Sequence, residues 1–206
     1  MKVIDASYKI LTPITGEELK FIEEIGRSCY HSEDKIKEGS DVEFVSKIVA
    51  NGHESVIEHI NLSVRFIVDR GVSHEIVRHR LASFTQESTR YCNYGDSKKY
   101  PDGVVFVSPS YIPSDSNSYR TWLKAMEDAE FWYLQLLKEG RTPEEARSVL
   151  PNSVATMITV TTNLREWRHI LTLRTSNRAH PGVREVMVPL GKELASKIPV
   201  IFDAFA

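Results

Sequence analysis

The sequence is poor in cysteine and has no long apolar run, and each absence argues against a class of protein. Its 206 residues include two cysteines, Cys29 and Cys92, without a CxxC spacing. This argues against a zinc knuckle, a redox pair or a disulfide framework, and favours a reducing compartment. No apolar stretch is long enough to span a bilayer, and the first residues lack the apolar segment of a signal peptide. We therefore expect a cytoplasmic protein without membrane contact.

The charge balance argues against a domain built to bind nucleic acid. Lys and Arg total 26 and Asp and Glu total 28, so the formal net charge is -2. Domains that bind a nucleic-acid backbone are usually basic overall. The hydrophobic fraction of 41% and charged fraction of 26% are ordinary for a globular protein with a core. The length favours one domain, residues 1–206, on which any phosphate-binding surface is local.

Helix and strand patterns interleave along the chain. Strands are predicted over Val3–Leu11, Ile60–Val68, Val104–Val107 and Val154–Val160, the second from its strict apolar alternation. Helices are predicted from Thr15 to Cys29, from an Asp41 cap to Gly52, over Ser73–Arg80 and from Trp122 to Gly140, the last with an aromatic stripe interpreted as core packing. Further helices are predicted from a capping box at Thr142, from an Asn163 cap and from Pro181. The helix from Pro181 has an apolar face of Val183, Met187, Leu190 and Leu194, with a kink at Pro189. The polar segment Leu81–Lys99 reads as a long loop or irregular helix. The fold class is α/β (α+β), with a central mixed or antiparallel sheet flanked by helices.

The densest chemical cluster is Arg78-His79-Arg80, with Ser88 and Arg90 close behind. Two like charges about 6 Å apart repel by roughly 2–3 kcal/mol at an effective dielectric near 20, so an anion among the arginines would relieve the repulsion. The planar guanidinium fork suits phosphate. The alternative is structural, because Arg and His at a helix C-terminus complement the helix dipole.

The run from Arg78 to Tyr91 resembles the signature of flavin-dependent thymidylate synthases: Arg-His-Arg, a serine three residues later, then Ser-x-Arg. Thr85 stands where that signature has asparagine. Three other segments are similar to the family in the same order: Gly52–His59, Ala146–Pro151 and Asn163–Arg174. The resemblance therefore covers most of the chain.

The resemblance implies an FAD-dependent methyltransferase of nucleotide biosynthesis that converts dUMP to dTMP. Methylenetetrahydrofolate would be the carbon donor and NADPH the reductant. It also implies a homotetramer whose active sites are shared between subunits. No covalent cysteine is implied, and the chain has no Pro-Cys-His segment.

The same resemblance assigns residues to three groups. The catalytic group is Arg174, which stabilises the uracil ring as an anion, Ser88, which polarises the uracil, and His53 near the flavin ring. FAD contacts are implied for Ser55, Arg78, His79, Arg80, Gln86, Asn163, Leu164, Arg165 and His169. Contacts with dUMP are implied for Glu75, Arg78, Gln86, Glu87, Ser88, Thr89, Arg90, Arg147 and Arg174, with Arg90 and Arg147 on the phosphate. A helix would place Arg165 and His169 on one face.

The remaining candidates favour structural roles. No metal site is predicted, because neither HxH nor HExxH links His53, His59, His74 and His79. Ser88 lacks the GxSxG elbow of a hydrolase nucleophile. Cys92 is interpreted as a packed thiol, since burial is the usual state of a free cysteine.

Two other functions stay open at this point. The Arg78–Arg90 cluster, with Tyr91, Tyr94 and Tyr100 nearby, would suit a module that stacks and neutralises single-stranded nucleic acid. A flavin reductase without methyl transfer would oxidise NADPH independently of dUMP. The nucleic-acid module would bind oligonucleotides with a steep dependence on salt. The flavin reductase would oxidise NADPH in the absence of dUMP.

Overall fold

A computed structural model describes all residues, Met1–Ala206, and confirms the predicted mixed α/β fold. The strands are β1 (Lys2–Ile4), β2 (Ser7–Ile10), β3 (Asn61–Asp69), β4 (Ser83–Gln86), β5 (Val105–Val107) and β6 (Ala155–Asn163). The helices are α1 (Glu18–Ser28), α2 (Ser40–Ala50), α3 (Arg70–Ile76), α4 (Asn117–Lys138), α5 (Pro143–Ala146), α6 (Leu164–Arg174) and α7 (Pro181–Lys197). One sheet has the order β2-β3-β6-β4, and β1 pairs in parallel with β5.

The chain divides into two compact units. The first unit comprises Met1–Tyr8, Arg65–Arg78 and Phe84–Thr159, and the second comprises Lys9–Val64, His79–Ser83 and Val160–Ala206. The dividing points fall within strands, so β2, β3, β4 and β6 each give residues to both units. A single domain over residues 1–206 stays a prediction.

The core of the first unit is built on α4 and confirms the aromatic stripe as packing. Met126 and Tyr133 of this helix pack with Tyr94, Val104 and Phe106 in one buried cluster. The next helix, α5, starts with the predicted capping box, in which the Thr142 side chain and the Glu145 carboxylate each bind the other residue's backbone N–H. The box fixes the orientation of the chain just before Arg147.

The core of the second unit lies along α6 and α7. The predicted apolar face of α7 is confirmed, since Val183, Met187, Leu190 and Leu194 are completely buried. Trp167 of α6 is also completely buried, and its indole N–H donates to the Leu62 carbonyl at 3.1 Å. Asn163 caps α6 as predicted, accepting the Glu166 N–H at 2.9 Å.

The helix before the Arg-His-Arg triplet differs from its prediction. The Asp69 side chain accepts the Val72 N–H at 2.6 Å, which starts α3 at Arg70 instead of Ser73. The helix then ends at Ile76, so Arg78, His79 and Arg80 follow it in a turn. The prediction of a helix over Ser73–Arg80 was wrong at both ends, and the missed Asp69 cap accounts for the earlier start.

Other element bounds were also wrong. The predicted Val3–Leu11 strand is two strands, β1 and β2, and the predicted loop contains β4. Asp41 is not a cap: Gly39, with φ 74°, precedes α2, which begins at Ser40. The helix predicted from Trp122 begins at Asn117 under a Ser116 cap. No helix combines the length and apolar character needed to cross a membrane.

Candidate functional site

A cavity of about 740 Å³ in the second unit is lined by α6 and the 3-10 turn Glu54–His59. Three of the predicted FAD residues line it, namely Asn163, Arg165 and His169. Six lining residues were not predicted: Glu54, Glu58, Leu81, Glu166, Arg168 and Thr172. The expectation that Arg165 and His169 share a helix face is confirmed, because both line this cavity.

Carboxylates hold the guanidinium groups of the cavity in place. Arg165 contacts Glu58 at 2.5 Å and Glu54 at 3.6 Å, and Arg168 contacts Glu54 at 3.2 Å. Arg168 also donates to the Ile201 carbonyl at 2.9 Å. The two acidic residues lie in the Gly52–His59 segment that resembles the family, but neither was assigned a role from the sequence. An incoming phosphate would compete with them for the same donors.

His79 is the buried member of the Arg-His-Arg triplet and contacts both ends of α6. Its Nε2 accepts a hydrogen bond from Arg174 Nε at 2.9 Å, and its Nδ1 lies 3.8 Å from a Glu166 carboxylate oxygen. The His169 ring stands edge-on to it, with centroids 6.0 Å apart. Burial, with the nearby Arg174 charge and His169 adding to it, lowers the pKa of His79 to about 4. The imidazole is therefore neutral at neutral pH.

Three side chains of this cluster have the composition of a metal site. Potential ligand atoms of His79, Glu166 and His169 lie within 4.8 Å of one another. The Nε2 lone pair of His79 is already used by Arg174, whose positive charge repels a cation. This chemistry favours the prediction that the chain holds no metal.

The other predicted residues of the second unit lie apart from this cavity or at its margin. His53 and Ser55 are exposed and line another cavity, of about 480 Å³, with Phe44, Lys47 and other residues. Arg80 is exposed beside Leu81. Leu164 is buried in the core, and its backbone N–H donates to the Ile60 carbonyl at 3.0 Å. The Leu164 side chain therefore supports α6 from inside.

The predicted nucleotide residues of the first unit begin at the end of β4. The Gln86 amide donates to Ser73 Oγ at 2.9 Å and to Thr156 Oγ1 at 3.2 Å. The Tyr94 hydroxyl donates to the Glu87 carboxylate at 2.7 Å. Burial, followed by the bond to Glu87, raises the pKa of Tyr94 far above its usual value. Sequence reasoning missed Ser73 and Thr156, which orient the Gln86 amide.

The two predicted phosphate arginines tie the loop after β4 to the region of α5. Arg147 donates to Thr89 Oγ1 at 3.1 Å, and Arg90 forms an ion pair with Glu144 at 2.7 Å. Ser88 Oγ accepts the Arg90 backbone N–H at 3.4 Å. The structure therefore gathers Ser88, Thr89, Arg90 and Arg147 in one place. Glu144, which was not predicted, contacts Arg90.

The predicted ligand residues are divided between the units. The first unit contains Glu75, Arg78, Gln86, Glu87, Ser88, Thr89, Arg90 and Arg147, and the second contains His53, Ser55, His79, Arg80, Asn163, Leu164, Arg165, His169 and Arg174. Arg78 and His79 are adjacent in the sequence yet belong to different units. Their individual roles stay predictions.

Comparison with known proteins places the chain among similar sequences and folds. A family model described as thymidylate synthase complementing protein matches residues 11–200. The flavin-dependent thymidylate synthase of Pyrococcus abyssi is 37% identical over 167 residues, which are 80% of this chain and 66% of that protein. The flavin-dependent thymidylate synthase of Corynebacterium glutamicum is 32% identical over 212 residues, 94% of this chain and 82% of that protein.

A solved structure shares the fold. It is a UMP/dUMP methylase, PolB, from Streptomyces cacaoi, bound with 5-Br dUMP. The two folds superpose with a TM-score of 0.81 over 100% of this chain and 96% of that one, at 23% sequence identity. At this identity the likeness supports the fold only.

Proposed function

The chain belongs to the family of flavin-dependent thymidylate synthases, and on this premise we propose that it methylates dUMP to dTMP. Methylenetetrahydrofolate is the proposed carbon donor and NADPH the proposed reductant. The observation that carries the proposal is the cavity of the second unit, where Arg165, Arg168, Asn163 and His169 lie on one wall. Guanidinium and amide groups at one wall suit a phosphorylated ligand with a polar ring.

The chemistry of this cavity fits a flavin dinucleotide. Its volume of about 740 Å³ is within the usual range for small-molecule sites. Arg165 and Arg168 supply planar, permanently charged donors for a diphosphate, and Glu54 and Glu58 hold them in place until it binds. When bound, FAD supplies the reducing equivalents that it takes from NADPH. The protein's own part is to bind and orient.

The residues gathered in the first unit fit a nucleotide monophosphate. A phosphate monoester carries about -1.5 to -2 charges at neutral pH, and Arg90 and Arg147 are the proposed partners.

Arg174 is proposed to stabilise negative charge that grows on the uracil carbonyl oxygen as the ring becomes a carbon nucleophile. Ser88 is proposed to polarise the ring.

We also propose a homotetramer in which several subunits contribute to each active site, with the cytoplasm as its location. Both cysteines are free, which fits a reducing compartment. Cys92, the cysteine next to the family signature, is partly buried, which fits a reaction without a covalent enzyme intermediate.

The purified full-length protein is expected to be yellow, with bound FAD, and dUMP is expected to perturb its flavin absorbance. It should form dTMP only when dUMP, methylenetetrahydrofolate and NADPH are all present. A colourless protein that stays colourless with added FAD would contradict the proposal. NADPH oxidation indifferent to dUMP would favour a flavin reductase, and tight, salt-dependent oligonucleotide binding without flavin would favour a nucleic-acid module.

Replacing Glu144 with glutamine is expected to tighten dUMP binding by about two- to tenfold at low salt. The change removes a negative charge that is ion-paired with Arg90 at 2.7 Å and that repels an incoming phosphate. Both side chains are half exposed, so added salt should reduce the difference. The dissociation constant can be measured from the flavin spectrum.

The matched control is Asp128→Asn, which removes one carboxylate charge from an exposed pair with Lys124 at 3.0 Å. It should leave dUMP affinity unchanged. Weaker binding in Glu144→Gln would show that the carboxylate orients Arg90 for the phosphate and does not compete with it.

A further inference from the structure

His79 contacts Arg174 in a way that defines where its proton lies. Arg174 Nε–H donates to His79 Nε2 at 2.9 Å across 95 residues of sequence. An imidazole nitrogen accepts a hydrogen bond only when it carries no proton. A neutral His79 therefore carries its proton on Nδ1, and the ring presents a fixed acceptor to the guanidinium.

Glu166 lies on the opposite side of the same ring. One of its carboxylate oxygens is 3.8 Å from His79 Nδ1, too far for a direct hydrogen bond but close enough for electrostatic attraction. The side chains of His79 and Glu166 are 5% and 9% exposed, so solvent screens this attraction little. A negative charge facing Nδ1 favours the tautomer with its proton there.

The Asn163 cap fixes the backbone of Glu166 at the start of α6. The Glu166 backbone N–H donates to the Asn163 cap at 2.9 Å in the first turn of α6, and Arg174 is the last residue of that helix. His79 thus connects the two ends of one helix. Neither the family resemblance nor the flavin assignment gives Glu166 a role.

We propose that Glu166 and His79 are positioning residues for Arg174: the carboxylate selects the Nδ1–H tautomer of His79, and Nε2 then holds the guanidinium. The inference rests on the proposed function, in which Arg174 stabilises the uracil anion. Without the hydrogen bond to His79, the Arg174 guanidinium would keep its positive charge but would no longer be held in position. The expected result is a lower kcat with little change in bound flavin or in KM for dUMP.

A double-mutant cycle on the full-length, flavin-containing protein tests this. Glu166→Gln should lower kcat for dTMP formation by about tenfold or more in the wild-type background, within the range of coupling between contacting residues. In an Arg174→Lys background, where the charge remains but the Nε–H is lost, the same change should lower kcat less than about twofold. Additive losses in the two backgrounds would overturn the inference.

Two comparisons separate positioning from a structural effect. His79→Gln keeps an acceptor oxygen for Arg174 and should retain more kcat than His79→Leu at equal flavin content. Glu193→Gln removes the same charge from a pair with Lys197 on α7 and should leave kcat unchanged. Equal kcat in the two His79 variants would overturn the inference.

A readout independent of activity follows the tautomer directly. ¹⁵N NMR of histidine-labelled protein should show His79 neutral and protonated at Nδ1, with its signal identified from its loss in His79→Gln. Finding Nε2–H or a cationic ring would overturn the inference even if no variant retains measurable turnover. If Arg174→Ala leaves dTMP formation unchanged, the proposed function of Arg174 fails instead, because no positive charge then remains at that position.

Discussion

Replacing Arg174 with alanine is expected to abolish dTMP formation while FAD stays bound. Preorganised donors that stabilise a developing oxyanion contribute about 10²–10³ in rate, and here the lost donor is a full positive charge. We therefore expect a loss of roughly 10³-fold or more in kcat. The flavin should remain because the guanidinium groups that line its proposed cavity, Arg165 and Arg168, are untouched.

Both quantities are measurable on one preparation, dTMP by product formation and flavin content by absorbance. Lys197→Ala is the matched control, because it removes one cation from an exposed i,i+4 pair with Glu193 on α7. It should keep nearly full activity. Near-wild-type turnover in Arg174→Ala would show that another group stabilises the uracil anion.

Replacing Trp167 with alanine is expected to lower the free energy of unfolding by about 3–5 kcal/mol. This is the usual cost of truncating a completely buried tryptophan, which leaves a cavity in the core. The indole N–H bond to the Leu62 carbonyl at 3.1 Å is lost as well, which adds to the cost. Denaturant unfolding at a fixed protein concentration measures the loss.

The matched control is Trp132→Ala, since Trp132 is 56% exposed on α4. That change is expected to cost less than about 0.5 kcal/mol. Trp167→Phe should fall between the two, because the ring largely refills the space but the N–H is gone. Equal losses for the two alanine variants would show that Trp167 does not anchor α6.

The sequence allowed accurate prediction where the signal was local. The alternation of Leu62, Val64, Phe66 and Val68 predicted β3 within one residue at each end, and all four side chains are buried. The Asn163 cap and the Thr142 capping box were also confirmed. Each of these signals depends on hydrogen bonds or periodicity over a few residues, which a chain satisfies in much the same way in any fold.

Prediction failed where a competing local bond or a distant partner decided the structure. The Asp69 cap starts α3 three residues earlier than predicted, and the helix ends at Ile76, before the Arg-His-Arg triplet. Strand β4 has four residues and no clear alternation, and it forms because β6 is beside it in the sheet. Such short strands are stabilised by their neighbours more than by their own residues.

The candidate site shows the same division. The signature residues and their order are properties of the sequence, and through them the family, the ligands and the set of arginines could be proposed. The carboxylate that pairs with each arginine could not be predicted, because Glu58 lies 107 residues from Arg165 in the chain. Ion pairs depend on distance in space, and the sequence does not supply that distance.

By itself, the sequence determined the chemical inventory: helix caps, the alternation of one long strand, and guanidinium and imidazole groups of a family signature. Only the tertiary structure decided that His79 is buried, accepts a hydrogen bond from Arg174 and faces Glu166. The physical reason is that burial and long-range hydrogen bonds arise when distant segments pack together. A side chain's protonation and orientation follow from that packing and not from its neighbours in the chain.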